Sequence, residues 1–326
     1  MYLQFVLNSC ALTLVTLCAS SAHADYPDRP IKMIVAWPSG GGTDNVARIV
    51  AKFLGDRLNQ QVIVENKSGA SGLVGTEYVS RAAPDGYTIQ YTVADSHSIN
   101  PHVFSNVKYD ALKDFIPVSI VGAMPSVLAV NPKVSANNLS QFIAYAKAHP
   151  GELTFSSWGV GSGGHIRTAA FNDYAKINML HVPYQGSAPA FAAVVSGQVD
   201  ATIVPLSLAL ANAQAGRVKI MGVDTPQRVP SSSDIPTFTE QGIPLTLTFW
   251  QALMVPAKTP DEIVTLLNKE MLALLSNTEA KIALTKAGVS VSNFGASSLP
   301  ELKSYMSKEY VRWGGIIKSA NITAQP

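Results

Sequence analysis

The chain alternates short apolar runs with segments whose apolar residues recur every three or four positions. Ile31 to Ala36 is such a run. After Trp37-Pro38-Ser39-Gly40-Gly41-Gly42-Thr43-Asp44, the residues Val46, Ile49, Val50, Phe53, Leu54 and Leu58 mark one face of a helix beginning at Val46. Val62 to Val64 predicts a short buried strand, Asn66 to Gly72 a second glycine-rich turn, and about Leu73 to Ala82 a helix. Thr88 to Val93 predicts a third strand behind the turn Pro84-Asp85-Gly86-Tyr87. This alternation implies a mostly parallel sheet with helices on both faces.

Phe115 to Val121 and Val127 to Val130 flank Gly122-Ala123-Met124-Pro125, a break at which the chain is expected to cross between two bodies. A second alternating block follows: a helix Leu139 to Ala148, a strand Leu153 to Ser157, the loop Trp158-Gly159-Val160-Gly161-Ser162-Gly163-Gly164, and a helix from about His165 to Ala175. A strand ending in His181-Val182-Pro183-Tyr184 then leads to Gln185-Gly186-Ser187 opening a helix, and Ala201 to Val204 starts a further strand after Asp200. Thr246 to Met254 predicts a strand that carries the chain back. Thr259-Pro260-Asp261-Glu262 reads as a capping box opening a helix, a further helix runs from about Thr278 to Gly288, and Ser298 with Glu301 caps a last one bearing Leu302, Tyr305, Met306 and Trp313. The expected organisation is α/β, with one lobe formed by 25–124 plus 250–326, a second by 125–249, and two crossing strands between them.

Both lobes repeat one device, a strand feeding a glycine-rich loop that opens a helix. Glycines let a ligand approach peptide N–H groups, and the first N–H groups of a helix with its aligned dipoles favour an anion. Each loop is thus a candidate anion cradle, although a strand-to-helix turn alone also accounts for glycines with a Thr or Asp cap. Ligands in open α/β sheets bind beyond the carboxyl ends of the strands, so both loops are expected at the mouth of one cleft in a hinged binding protein.

Composition narrows the field. At 326 residues the chain exceeds the usual size of one core. Its 24 Lys+Arg balance 22 Asp+Glu with no basic stripe, and nothing points to nucleic acid. The first 24 residues carry no charged side chain and end in Ala22-His23-Ala24, which reads as a secretory signal peptide lacking the usual positive start. The apolar stretch is too short for a membrane anchor of about 20 residues and is broken by Asn8 and Ser9. Both cysteines, Cys10 and Cys18, fall inside it. A mature chain would then lack disulfides, thiol nucleophiles and cysteine-ligated metals, and would be soluble outside the cytoplasm.

Five segments resemble the Bug (TctC-like) family of periplasmic receptors for tripartite tricarboxylate transporters. They are Pro38 to Asp44, Ala83-Pro84-Asp85-Gly86-Tyr87-Thr88, Gly161-Ser162-Gly163-Gly164-His165, His181 to Ala190, and Gly197-Gln198-Val199-Asp200. The likeness covers essentially all of the mature chain, down to Arg312-Trp313-Gly314. It implies a two-lobed periplasmic-binding-protein (Venus flytrap) fold that holds a small carboxylate between the two glycine loops, partly through water. It further implies a monomer in the periplasm that delivers its ligand to membrane permease subunits, with no cofactor and no metal. Carried onto this sequence, the first-lobe contacts are Trp37, Pro38, Ser39, Gly40, Gly41, Gly42, Thr43 and Asp44. Those of the second lobe are Gly159, Val160, Gly161, Ser162, Gly163, Gly164 and His165. Asp95, Ser96 and His97, ending the third strand, are expected at the same mouth. The family commonly carries Phe where this sequence has Trp37, whose indole could stack on an aromatic acid or narrow the pocket for an aliphatic one.

Several residues have two readings. Asp44 could accept a ligand hydrogen bond, but helix capping is preferred because a carboxylate repels an anion. Ser39, Thr43 and Ser162 can donate from their hydroxyls. A protonated His165 would favour the anion; a neutral one would serve a loop carbonyl. His181 is expected as a core histidine and Asp200 as structural. Tyr184 and Gln185 are weighed equally as contacts or packing, Trp158 could form a second aromatic wall, and Trp250 could line cleft or hinge. Trp313 is expected in the core. Arg48 and Arg167 are expected on solvated helix faces rather than on a second carboxylate of the ligand.

The competing class is a secreted hydrolase, yet neither Ser71 nor Ser162 stands in G-x-S-x-G, and the chain has no H-E-x-x-H or Walker A pattern. A dispersed Ser, His and Asp triad stays open on sequence alone. A third class, a sensor presenting the same acid to a signalling protein, differs only in surfaces that sequence does not reveal.

Overall fold

The computed structural model describes residues 26–184, 186–247, 249–292, 297–320 and 322; the expected signal peptide, both cysteines and Gln185 lie outside them. Strand β1 (Ile31–Val35) is buried except for Lys32, whose ammonium lies 3.3 Å from Glu65. Helix α1 (Gly42–Leu58) buries Val46, Ala47, Val50, Ala51 and Leu54, the stripe its spacing dictates, and ends on Asn59 in the left-handed conformation. It begins four residues earlier than its apolar pattern, because the pattern starts only where the helix meets the core. β2 (Val62–Asn66), α2 (Leu73–Ser80) and β3 (Thr88–Val93) follow, then a π turn at Asp95–Ile99 and the single turn α3 (Asn100–Val103).

The chain leaves the first sheet along β4 (Phe115–Ala123) and enters the second along β5 (Ser126–Val130). The second block comprises α4 (Leu139–Ala148), β6 (Thr154–Ser157), α5 (Gly163–Ala175), β7 (Leu180–Pro183), α6 (Ser187–Val195), β8 (Ala201–Pro205), α7 (Leu206–Gln214) and β9 (Lys219–Val223). The return strand β10 (Trp250–Pro256), α8 (Asp261–Ser276), α9 (Thr278–Lys286), β11 (Ser290–Val291) and α10 (Leu299–Ser319) close the fold. The expected capping box at Thr259 does not form: Thr259 donates its hydroxyl to the Pro256 carbonyl, and Pro260 stands at the helix cap. The one at Ser298 and Glu301 does.

The six-stranded sheet runs β11-β4-β10-β3-β1-β2 and the five-stranded sheet β7-β6-β8-β5-β9. Both are mixed. β2, β1 and β3 are parallel, as are β7, β6 and β8, whereas β10 runs antiparallel to β3 and β4, and β5 to β8 and β9. The reversal follows from the connection: a strand arriving from the other lobe enters its new sheet from the cleft end. The two crossings touch, the Met124 amide donating to the Phe249 carbonyl at 3.0 Å. Helix α10 belongs to two cores. Leu302 and Met306 pack with the first, Trp313, Ile316 and Ile317 with the second.

Candidate functional site

The carboxyl ends of β1 and β3 lie side by side, as neighbouring parallel strands must, and both face β8 of the other sheet across a cavity of about 430 Å³. The first sheet contributes Trp37, Pro38, Ser39, Gly40, Gly41, Gly42, Thr43, Val93, Asp95 and Met124 to the lining. The second contributes Trp158, Arg167, Gly186, Ser187, Ala188, Pro189 and Pro205, with Phe249 closing the crossing.

The first glycine loop is an open cradle. Pro38 to Gly42 are exposed, Gly40 adopts a positive φ of 81° with free space where a Cβ would stand, and α1 starts at Gly42 without a side-chain cap. Helix geometry leaves the N–H groups of Gly42, Thr43 and Asp44 without partners inside the helix. Asp44 braces the loop from behind. Its buried carboxylate accepts from the Gly40 amide at 2.8 Å, from Arg48 Nε at 2.9 Å and from Asn66 Nδ2 at 2.8 Å, and it is absent from the cavity lining. Burial opposes its charge, but the hydrogen bonds from Arg48, Gly40 and Asn66 hold it below the usual carboxylate range. Trp37 owes its place to the second glycine turn: a Cβ on Gly72, whose φ is 90°, would lie 3.0 Å from the indole.

The second glycine loop is packed where the first is open, and Gly159, Val160, Gly161, Ser162, Gly163, Gly164 and His165 do not line the cavity. Several of its donors are spent within the loop. The Ser162 amide and hydroxyl both donate to the Gly159 carbonyl, the Gly161 amide donates to His165 Nδ1 at 3.1 Å, and the His165 amide reaches Ser162 Oγ at 3.4 Å. Val160 points to solvent. The glycines make room for neighbouring side chains. A Cβ on Gly163 would lie 2.5 Å from Asp95 Oδ1, one on Gly164 2.5 Å from the Trp158 ring, and one on Gly161 2.9 Å from the Phe104 ring. His165 is neutral, since its Nδ1 accepts and burial lowers its pKa; it stacks on His181 with centroids 4.0 Å apart. His181 is half-buried, not in the core, and bonds Ser157 Oγ at 2.7 Å.

Asp95 is the one residue of its trio that reaches the cavity. Ser96 is buried beside Gly72, its carbonyl accepting from the Tyr109 hydroxyl. His97 turns away among Phe115, Tyr109 and Trp250 and lines a separate cavity of about 290 Å³. Trp250 is fully buried and lines neither cavity. Trp313 is also fully buried. Tyr184 is half-buried against the apolar cluster of β5, α6 and β8, and donates its amide to the Ser157 carbonyl. Asp200 precedes β8 while Pro205 ends it, so it stands roughly 16 Å from the cavity at strand spacing. There it accepts from the Thr154 amide and hydroxyl.

Arg167 overturns its expected solvated place. It is 1% exposed, lines the cavity, and donates from Nε to the Gly163 carbonyl at 3.1 Å and from NH1 to Asp224 at 3.2 Å and to Ser126 Oγ. Asp224 also accepts from the Ser126 amide, so the pair ties the start of α5 to the crossing strand β5. The guanidinium lies over Phe249, 4.6 Å from the ring centre. Nothing in the pattern around Arg167 announces this, because its partners lie 41 and 57 residues away. Gly186 to Pro189, missed as lining, follow β7 as the first loop follows β1, a positional signal that sequence does offer.

Two α/β lobes enclosing a cavity with an open helix N-terminus define a solute-binding receptor. The chain belongs to the tripartite tricarboxylate transporter family receptors, whose family model matches residues 46–322. It is 33% identical over 305 residues to protein BugT of Bordetella pertussis, covering 92% of each chain. A solved R. palustris protein with adipate superposes with a TM-score of 0.84 at 31% identity, covering 92% of this chain and 100% of that one. MatC from Rhodopseudomonas palustris with bound malate gives 0.80 at 30%, covering 90% and 100%. These relatives are solute-binding proteins and not enzymes.

Proposed function

We propose that the chain is a periplasmic receptor that captures a small organic carboxylate between its lobes, 25–124 with 250–326 and 125–249, and delivers it to the membrane permease subunits of a tripartite transporter. Residues 1–24 serve as its export signal. The observation that carries this reading is the exposed Pro38–Gly42 turn opening α1 onto the cavity, where unpaired N–H groups and the helix dipole can meet an anion. The aromatic walls Trp37, Trp158 and Phe249 enclose the ligand's carbon frame. The relatives bound to adipate and malate support the ligand class.

A thermal-shift screen of residues 25–326 tests it, using mono-, di- and tricarboxylates, aliphatic and aromatic, with amides and sugars as controls. A ligand at a thousand times its Kd adds roughly 4 kcal/mol to stability and raises the melting temperature. Shifts confined to acids are the expected outcome. Shifts with sugars or amides and none with acids would overturn the reading.

A further inference from the structure

We propose that the ligand carries a positively charged nitrogen as well as a carboxylate, the nitrogen pairing with Asp95 while the carboxylate lies on the N–H groups of the Gly40–Thr43 turn. This rests on the carboxylate reading above and narrows it to amino acids, betaines and related zwitterions.

Asp95 lines the cavity, is 2% exposed, and its Oδ1 has no hydrogen-bond partner among the described residues. A buried carboxylate oxygen without a hydrogen bond is costly, and such an atom in a ligand cavity invites a complement. Arg167 does not supply it, since that guanidinium is directed at Gly163, Ser126 and Asp224. The cluster thus holds two buried carboxylates, Asp95 and Asp224, for one buried cation. One further positive charge balances it. The first loop contributes no carboxylate to the lining, because Asp44 turns behind it, so the anionic and cationic ends of a ligand meet separate surfaces. These surfaces are adjacent: the loop follows β1, Asp95 follows β3, and paired strands stand about 4.8 Å apart, the scale of a compact zwitterion. The indole of Trp37 on the lining favours a cation near its face. Burial pushes the Asp95 carboxyl up to about 7, against the pull of Arg167 and the Gly163 amide, consistent with a site lacking one positive charge.

Isothermal titration calorimetry on residues 25–326 at pH 8 tests this with matched probes: glycine betaine against 3,3-dimethylbutyrate, its isostere without the positive charge, and L-glutamate and 4-aminobutyrate against glutarate. The expected result is that at least one zwitterion binds tenfold or more tightly than its partner, and that Asp95→Asn abolishes the difference while near-ultraviolet circular dichroism is unchanged. Glutarate or dimethylbutyrate binding as tightly, with affinity falling above pH 7 and kept in Asp95→Asn, would make Asp95 a protonated donor and overturn the inference while leaving the carboxylate reading intact. Choline binding as tightly as betaine would instead overturn the carboxylate reading. Binding of no acid at all would overturn both.

Discussion

Asp95 and Gly163 meet across the two lobes so closely that a Cβ on the glycine would lie 2.5 Å from Oδ1 of the aspartate. The contact joins the end of β3 to the start of α5, so a side chain at 163 acts as a wedge in the closed cleft. Gly163→Ala is expected to cost about 1–3 kcal/mol of closed-state stability through overpacking. Denaturant unfolding and ligand affinity should fall together; an unchanged midpoint and an unchanged Kd would mean that the two lobes do not approach this way.

Arg167 and Asp224 form a buried pair in which each partner depends on the other. Arg167→Met is expected to destabilise the protein by about 3–5 kcal/mol, because Asp224 is left buried without its cation. Adding Asp224→Leu should recover most of the loss. A double variant as unstable as the single one in urea would assign the cost to lost packing against Phe249.

Folding raises the Asp95 carboxyl to about 7 by burial, above an unfolded range near 4. The native state therefore binds this proton more readily, and the contribution is fully present below about pH 4 and lost as the pH rises through 7. Asp95→Asn cannot titrate. Its melting temperature should gain on that of the parent protein between pH 4 and pH 8, whereas parallel curves would mean that Asp95 is solvated.

The histidine stack has the opposite sign. Burial, reinforced by His165, lowers His181 to about 4, so its contribution is present above about pH 6.5 and is lost as the pH falls through 4. His181→Phe keeps the stacked ring and removes the titration. Relative to this variant the parent should lose melting temperature from pH 7 to pH 4, the slope and not the offset being diagnostic.

Asp44 and Arg48 share a hydrogen bond but differ in burial. Asp44→Ala strips the Gly40 amide and Asn66 of their acceptor and should cost about 1–3 kcal/mol and weaken carboxylate binding. Arg48→Ala, on an exposed side chain, should cost less than about 1 kcal/mol. The reverse order in a denaturant series would show that Asp44 does not brace the loop.

Periodicity made the elements legible where a local cap agreed with it. Thr88–Val93 and Leu139–Ala148 fall where the pattern puts them, the latter because Asn138 accepts from the Gln141 amide at its start. Alternation also pointed to the α/β class, which the two sheets bear out. Glycine proved ambiguous: Gly40 keeps open space beside it, while the loop at 161–164 yields its space to Phe104, Asp95 and Trp158, and no local pattern tells these apart. Arg167 and His97 were misplaced for the same reason. Their partners are far along the chain, and only the assembled sheets bring them together.

Helix α10 works as an axle. Its first turns are held by Leu302 and Met306 in one core and its last by Trp313 and Ile317 in the other, so the lobes cannot separate like the halves of a book without unseating a tryptophan. An opening of the lobes therefore has to carry Trp313 with its own core and strain the helix between Met306 and Trp313.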